Sequence, residues 1–129
     1  MALPVDSYAG ITEKPLSAAV AAVIASAQAK GFRLLHVHDL QTLLLQQGLP
    51  GQPVAIVEIC RARFGSEMLK ADLRAALLMP CKVVVYTSNG KTYIEALRPR
   101  LLGDLLPDIA PLAEEEDALM RSIVDEASS

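Results

Sequence analysis

The chain has 129 residues and a formal net charge of −3, so it is the size of one domain and lacks the basic excess that gives proteins non-specific affinity for nucleic acid. Its apolar stretches are shorter than the roughly 20 residues that span a membrane, and Met1 to Asp6 contains neither segment of a secretory signal. We therefore expect a cytoplasmic protein with a single domain over residues 1–129, and neither nucleic acid nor a membrane among its partners.

The predicted elements follow the order βαβαβαββαα. In chain order they are a strand at 8–11, a helix that Pro15 begins and Gly31 ends, a strand at 32–37, a short helix capped by Asp39, a strand at 54–60, a helix at 62–78, strands at 82–87 and 91–96, and helices around 101–106 and 112–124. A hairpin mixed with strand-helix-strand units predicts an α+β fold, with helices packed on a mixed or antiparallel sheet.

Four local predictions accompany this order. Asn89-Gly90 supplies the positive φ angles of a two-residue turn, which places Tyr86 opposite Tyr93. The strand at 54–60 is an almost continuous apolar run, typical of a strand buried on both faces. In the helix after Asp39, the leucines are expected to face inward; they are Leu40, Leu43 and Leu44. The acidic run 114–117 indicates a solvated stretch at the start of the last helix, where negative charge is favourable.

The hydrophobic content is high, at 52% of residues with a mean hydropathy of +0.33. Apolar surface beyond what one core needs usually marks a contact site, and closed homodimers are the commonest soluble oligomers. The composition therefore indicates a homodimer interface or an internal ligand pocket, and the two are compatible.

Glu58 and Cys60 are candidate ligand-binding residues, because strand alternation places both on one face of the strand at 54–60. A carboxylate is unusual in a core strand, and perturbed carboxylates cluster at functional sites. The structural alternative is that Glu58 pairs with Arg61, Arg63 or a backbone amide. A neighbouring carboxylate also disfavours the thiolate form of Cys60, so a highly reactive thiol is not predicted here.

The chain contains two cysteines, Cys60 and Cys81. In a reducing compartment we expect free thiols, either of which could take part in thiol chemistry. A helix of roughly 16 residues carries the chain about 24 Å, so we expect Cys81 at the opposite end of the sheet from Cys60 and no disulfide between them.

His36 and His38 share one face of the strand at 32–37 and offer two nitrogens to a metal ion. A structural zinc site needs four ligands and a catalytic one three, so further ligands would have to come from residues such as Glu58 or the cysteines. The alternative is a pair of solvated or hydrogen-bonded histidines on a pH-sensitive surface. The sequence has no phosphate-binding glycine loop and no nucleophile elbow, so we assign no catalytic residue and no specific cofactor.

Short segments along the chain form a recognisable pattern. They are Tyr8-Ala9-Gly10-Ile11, Lys14-Pro15-Leu16, Gly31-Phe32-Arg33-Leu34-Leu35, Val54 to Cys60, Leu78 to Tyr86, and Gly90-Lys91-Thr92. In this order they resemble the domain-of-unknown-function 302 (DUF302) family over about residues 6–126, with the Pro80-Cys81 step as the most specific element. The resemblance implies a compact α+β domain, similar to half of a TATA-binding-protein fold, that dimerises. The family commonly follows its first cysteine with Asn-Pro, whereas Cys60 precedes Arg61-Ala62.

These observations predict a non-enzymatic homodimer that binds a small ligand or cofactor near Glu58 and Cys60. One alternative is a cysteine-based thiol redox or sulfur-carrier protein that uses Cys60 or Cys81. Another is a structural interaction module that uses only its apolar surface.

Overall fold

The computed structural model of the chain describes residues 5–129. The expectation of no signal segment rests partly on Met1 to Pro4, which lie outside the described residues. Within the described part, none of the helices combines the length and the apolar character that crossing a membrane requires.

The described residues form strands and helices in the predicted order, and the α+β class is confirmed. The strands are β1 (Ser7–Thr12), β2 (Arg33–Asp39), β3 (Val54–Cys60), β4 (Cys81–Ser88) and β5 (Lys91–Leu97). The α-helices are α1 (Leu16–Ala29), α2 (Leu40–Gln46), α3 (Ala62–Ala71), α4 (Arg100–Leu105) and α5 (Ala110–Ser128). Two 3-10 segments complete the chain: Leu73–Leu78 lies between α3 and β4, and Pro107–Ile109 lies between α4 and α5.

The strands form one five-stranded sheet in the order β1-β5-β4-β3-β2, and each neighbouring pair is antiparallel. The β4–β5 turn has φ angles of 53° at Asn89 and 76° at Gly90, which confirms the predicted hairpin. Tyr86 lies opposite Tyr93 as predicted, and the two rings stack with centroids 5.2 Å apart.

The main core lies between the sheet and helices α1 and α5. Alternate residues of each central strand point into it, as Val57, Val83 and Ile94 do, and all three are fully buried. Val23 of α1 and Ile123 of α5 face them. This face of the sheet is therefore the covered face.

A second, smaller core packs beyond one end of the sheet, where β3 ends and β4 begins. It joins α3 and the Leu73–Leu78 segment to α4 and the start of α5, through Phe64, Met68, Leu102 and Ala113. Cys81 contacts both cores, so the start of β4 connects the two.

Three details differ from the sequence prediction. Strand β3 is fully buried at alternate positions only, since its other face carries half-buried side chains. Helix α2 has no buried residue, and Leu43 is 54% exposed. The helix predicted at 62–78 ends at Ala71, because the Asp72 carboxylate accepts a hydrogen bond from the backbone N–H of Arg74 and starts a tighter 3-10 segment.

Candidate functional site

The sheet surface opposite α1 and α5, which we call the open face, carries the first part of the candidate site. Strand register places the following side chains on it: Ala9, Ile11, His36, His38, Val54, Ile56, Glu58, Lys82, Val84, Tyr86, Tyr93, Glu95 and Leu97. All of them are half-buried or exposed among residues 5–129. The middle of the open face is thus an apolar and aromatic surface in contact with solvent.

Glu95 is the one carboxylate in the middle of the open face. The hydroxyl of Ser7 donates a hydrogen bond of 2.6 Å to one of its oxygens, and the hydroxyl of Tyr86 donates one of 3.0 Å to the other. Both oxygens therefore have partners within the chain, which lowers the cost of covering this surface.

Glu58 lies at the end of the open face near the second core, and its partner is His38. Nε2 of His38 is 2.7 Å from Oε1 of Glu58, and Lys82 is the register partner of Glu58 on β4. The hydrogen bond to His38 holds the pKa of Glu58 below its usual value, although partial burial opposes the shift. Glu58 is an ionised group within a cluster of mixed charge at neutral pH.

His36 and His38 lie together beside Glu58, with ring centroids 4.5 Å apart. A bulge in β2 between Leu34 and His36 sets their register against β3. In the described residues, no group of three or more His, Cys, Asp or Glu side chains is placed to hold a metal ion. His38 is hydrogen-bonded to Glu58, and His36 packs edge-on against His38.

Cys60 and Cys81 are neighbours, and the prediction that they lie at opposite ends of the sheet is wrong. Cys81 pairs directly with Ile59, the residue before Cys60. The physical reason is topological: β3 and β4 are adjacent antiparallel strands, so the segment joining them must begin and end at the same end of the sheet. Both cysteines are free thiols.

Both cysteines line one small cavity between the sheet end and the second core. Its volume is about 10 Å³, about the room of a single water molecule. Met68 and Met79 also line it, together with apolar side chains such as Leu102. Four of its lining residues carry sulfur, and we call it the sulfur cavity.

Both thiols of the sulfur cavity are held in the protonated form. Burial raises the pKa of Cys81 to about 12, with further contributions from the negative charges of Glu116 and Cys60. Burial also raises the pKa of Cys60, and Glu116 adds to the shift. Neither thiol is a ready nucleophile at neutral pH, because the thiolate is the reactive form.

Glu116 lies close to the sulfur cavity and is not among the candidate residues predicted from the sequence. The run 114–117 was predicted to be solvated, but Glu116 is fully buried and Asp117 is 1% exposed. Glu116 accepts a hydrogen bond from Nε of Arg61, a side chain that also lines the cavity. Burial raises the pKa of Glu116, and Arg61 offsets part of the shift.

Asp117 forms the second buried ion pair. Arg98 donates hydrogen bonds of 3.1 and 2.8 Å to its two oxygens, and Arg121 donates another of 3.1 Å. Glu116 and Asp117 are therefore buried carboxylates that arginines compensate: Arg61 and Arg98 lie outside α5, and Arg121 follows Asp117 by four residues on α5 itself.

A larger surface depression of about 300 Å³ is formed by side chains of α3, the Pro107–Ile109 segment and α5. Its walls include the charged side chains Arg63, Glu67 and Glu115, and it is open to solvent. The candidate site residues Glu58, Cys60, Cys81, His36 and His38 are not among the residues that line it.

The fold and these sites define a small α+β domain with one helix-covered sheet face, one open sheet face and a sulfur cavity at the sheet end. The chain belongs to the DUF302 family, since the model of that family, described as a domain of unknown function, matches residues 10–127. The resemblance seen in the sequence is confirmed.

Among solved structures, the chain is similar to the crystal structure of an uncharacterized conserved DUF302 protein from Bacillus stearothermophilus. The TM-score is 0.87 at 23% sequence identity, over 94% of this chain and 97% of the other. At this identity the similarity shows the fold. A comparison with curated proteins finds no match.

Proposed function

We propose that the protein is a non-enzymatic homodimeric binding module in which two copies pack through their open faces. The ligand site lies at the end of each sheet, beside Glu58 and Cys60. The observation that carries the proposal is the open face itself, a sheet surface whose middle is apolar and aromatic.

The composition of the open face supports a protein contact. Val84 lies at its centre, with Ile56 as its register partner on β3. The stacked rings of Tyr86 and Tyr93 lie in the next row of the face. Aromatic and branched side chains of this kind are enriched in the buried centres of interfaces, where tyrosine often contributes strongly to binding.

The size of the open face is sufficient for a stable dimer. Five strands about 4.8 Å apart, each with about seven residues rising about 3.3 Å, cover roughly 24 by 23 Å, or about 550 Å². Two such faces bury about 1,100 Å², without the additional accessible surface of side chains that protrude from the sheet. A specific interface needs about 1,000 Å².

The charges of the open face suit a second copy of the same chain. Glu58 and Lys82 are adjacent and opposite in sign at one end of the face. In a two-fold contact each residue meets the partner's complementary residue, so Lys82 of each copy can face Glu58 of the other. Glu95 needs no outside partner, since Ser7 and Tyr86 already satisfy its oxygens.

Sedimentation velocity of Val84→Glu tests this arrangement. We expect the wild-type chain to sediment as a dimer at micromolar concentration and Val84→Glu to sediment as a folded monomer, because a charge at the centre of the face would be buried without a partner. The matched control is Leu77→Glu, at a leucine that is 84% exposed outside the open face and should stay dimeric. A monomeric wild type, or a dimeric Val84→Glu, would contradict the proposal.

The ligand part of the proposal rests on the position of Cys60. Cys60 follows Glu58 on the same face of β3, and its Sγ lines the sulfur cavity next to α3. An ionised carboxylate and a half-buried thiol therefore lie two residues apart at the place where the open face meets the second core.

A second candidate function, thiol chemistry, is favoured by one observation, the neighbouring positions of Cys60 and Cys81. In the cytoplasm, oxidised glutathione could accept two electrons and two protons from the pair, which would form a disulfide as two glutathione thiols are released. The raised pKa values of both thiols make this reaction slow at neutral pH. We therefore place it behind the binding module. A dimer with no bound ligand and unreactive cysteines would exclude both of these functions and favour the structural interaction module.

A further inference from the structure

The sulfur cavity is lined by four sulfur-containing side chains, where aliphatic side chains would suffice to pack two apolar cores together. Two thiols and two thioethers surround one small space, from residues that are far apart in sequence: Cys60, Cys81, Met68 and Met79. The cavity holds about 10 Å³, room for one atom the size of a water molecule. Its walls offer an ion or ligand sulfur atoms in place of water.

Sγ of Cys60 and the terminal methyl carbon of Met79 come together at the α3 side of the cavity, beside Gly65. A Cβ placed on Gly65 would lie 3.5 Å from Sγ of Cys60 and 3.1 Å from Cε of Met79. The absence of a side chain at Gly65 thus leaves space where Cys60 and Met79 meet. From strand geometry, the Cα atoms of Cys60 and Cys81 are about 6 Å apart.

Alternation along the strands would direct Cys60 and Cys81 to opposite faces of the sheet. Both, however, lie at strand ends, where α3 and the Leu73–Leu78 segment enclose the end of the sheet and bring both side chains to the same cavity. The negative charge of a Cys60 thiolate also raises the pKa of Cys81, which is consistent with their proximity.

We propose that Cys60, Cys81 and Met79 form a buried site for one soft monovalent metal ion, copper(I). Thiolate and thioether sulfur atoms select copper(I) over harder ions. Zinc takes four ligands from histidine, cysteine and carboxylates in structural sites, and in the part of the chain that the structure describes no group of even three such residues is placed to hold a metal.

The binding of copper(I) at this site can be written with charge and protons balanced. Copper(I) replaces the protons of both thiols, so two protons leave and the bound centre carries one net negative charge. Arg61 lines the same cavity with its side chain only 14% exposed, and its Nη2 has no hydrogen-bond partner among the described residues. Its guanidinium is therefore placed to compensate the charge of the bound centre, at the cost of a weaker pairing with Glu116. The inference rests on the ligand-binding part of the proposed function and is independent of the dimer.

An anaerobic titration of the reduced protein against copper(I) bicinchoninate tests the site, with native mass spectrometry for stoichiometry. We expect one copper per chain. Cys60→Ser and Cys81→Ser should each lower the affinity at least tenfold, and Met79→Leu should lower it several-fold. Met120→Leu removes a buried thioether from the main core, outside the cavity, and should leave the affinity unchanged.

The chain unfolded in urea is the control for binding by any two thiols, and it should bind copper at least a hundredfold more weakly. Equal affinity in urea, no transfer of copper, or unchanged affinity in both cysteine variants would overturn the inference. A non-metal mass bound to the native protein, without copper transfer, would overturn the copper site and leave the proposed function standing. Copper binding to a monomer would overturn the dimer and leave the copper site standing.

Discussion

Replacing Asp117 by alanine tests the buried ion pair that the sequence analysis missed. Burial alone would raise the pKa of Asp117, but hydrogen bonds from Arg98, the backbone N–H of Arg100 and Arg121 hold it below the usual value of 3.8. The carboxylate is therefore ionised at neutral pH. Without it, Arg98, whose side chain is 18% exposed, would be left with its charge unpaired and largely buried.

The expected cost follows from the burial of the partners. Breaking a buried ion pair by removing one partner costs about 3–5 kcal/mol. We expect about 3 kcal/mol, at the low end, because Arg121 is 43% exposed and can return to water. For a domain of this size, that loss lowers the melting temperature by about 10 °C.

Urea unfolding followed by circular dichroism measures the loss. Glu114→Ala is the matched control, because Glu114 is an exposed carboxylate on the same helix and its removal should change the free energy of unfolding by less than about 0.5 kcal/mol. Equal losses for Asp117→Ala and Glu114→Ala would refute the reasoning that the inward carboxylate is held by its arginines.

Two further predictions concern pH and thiol reactivity. Hydrogen bonds from Lys30, Ser26 and Ser122 lower the pKa of Glu126 from 4.5 to about 2, so its contribution to stability is present above pH 4.5 and lost as the pH falls toward 2. Glu126→Gln should be less stable than wild type at pH 7 and equally stable near pH 2 in urea titrations; a constant difference would contradict this. Iodoacetamide at neutral pH should modify Cys81 at least about a hundredfold more slowly in the folded chain than in urea, because its pKa is about 12. Fast modification of the folded chain would favour thiol chemistry.

The sequence was sufficient to predict those features of the fold that depend on residues close together in the chain. Asp39 caps α2 through the backbone N–H of Thr42, and Asn89-Gly90 fixes the register of the hairpin. The order of elements followed from hydrophobic periodicity, which records which residues face a core.

Predictions failed where the cause was a contact between distant elements. The position of Cys81 depended on β3 and β4 being antiparallel neighbours, which the periodicity of the connecting helix does not reveal. The partner of Glu58 is His38 on another strand, and neither predicted arginine pairs with it.

Burial of Glu116 and Asp117 was detectable from helical spacing. The buried stripe of α5 includes Ala113, Glu116, Asp117 and Met120, which stand at positions i, i+3, i+4 and i+7 of a helix. The run 114–117 was predicted to be solvated because its residues are charged, although helical spacing places Glu116 and Asp117 on the buried stripe. Arg61 and Arg98 lie outside α5 and were not identifiable as partners from the sequence, whereas Arg121 follows Asp117 by four residues on the same helix, a spacing at which side chains interact.

Native mass spectrometry of the purified protein, with and without reductant, tests the central claim most directly. We expect a dimer that carries a non-covalently bound mass and whose cysteines are unmodified under both conditions. A bare monomer would contradict both parts of the binding module, and a mass shift that reductant reverses would assign the function to the cysteines instead.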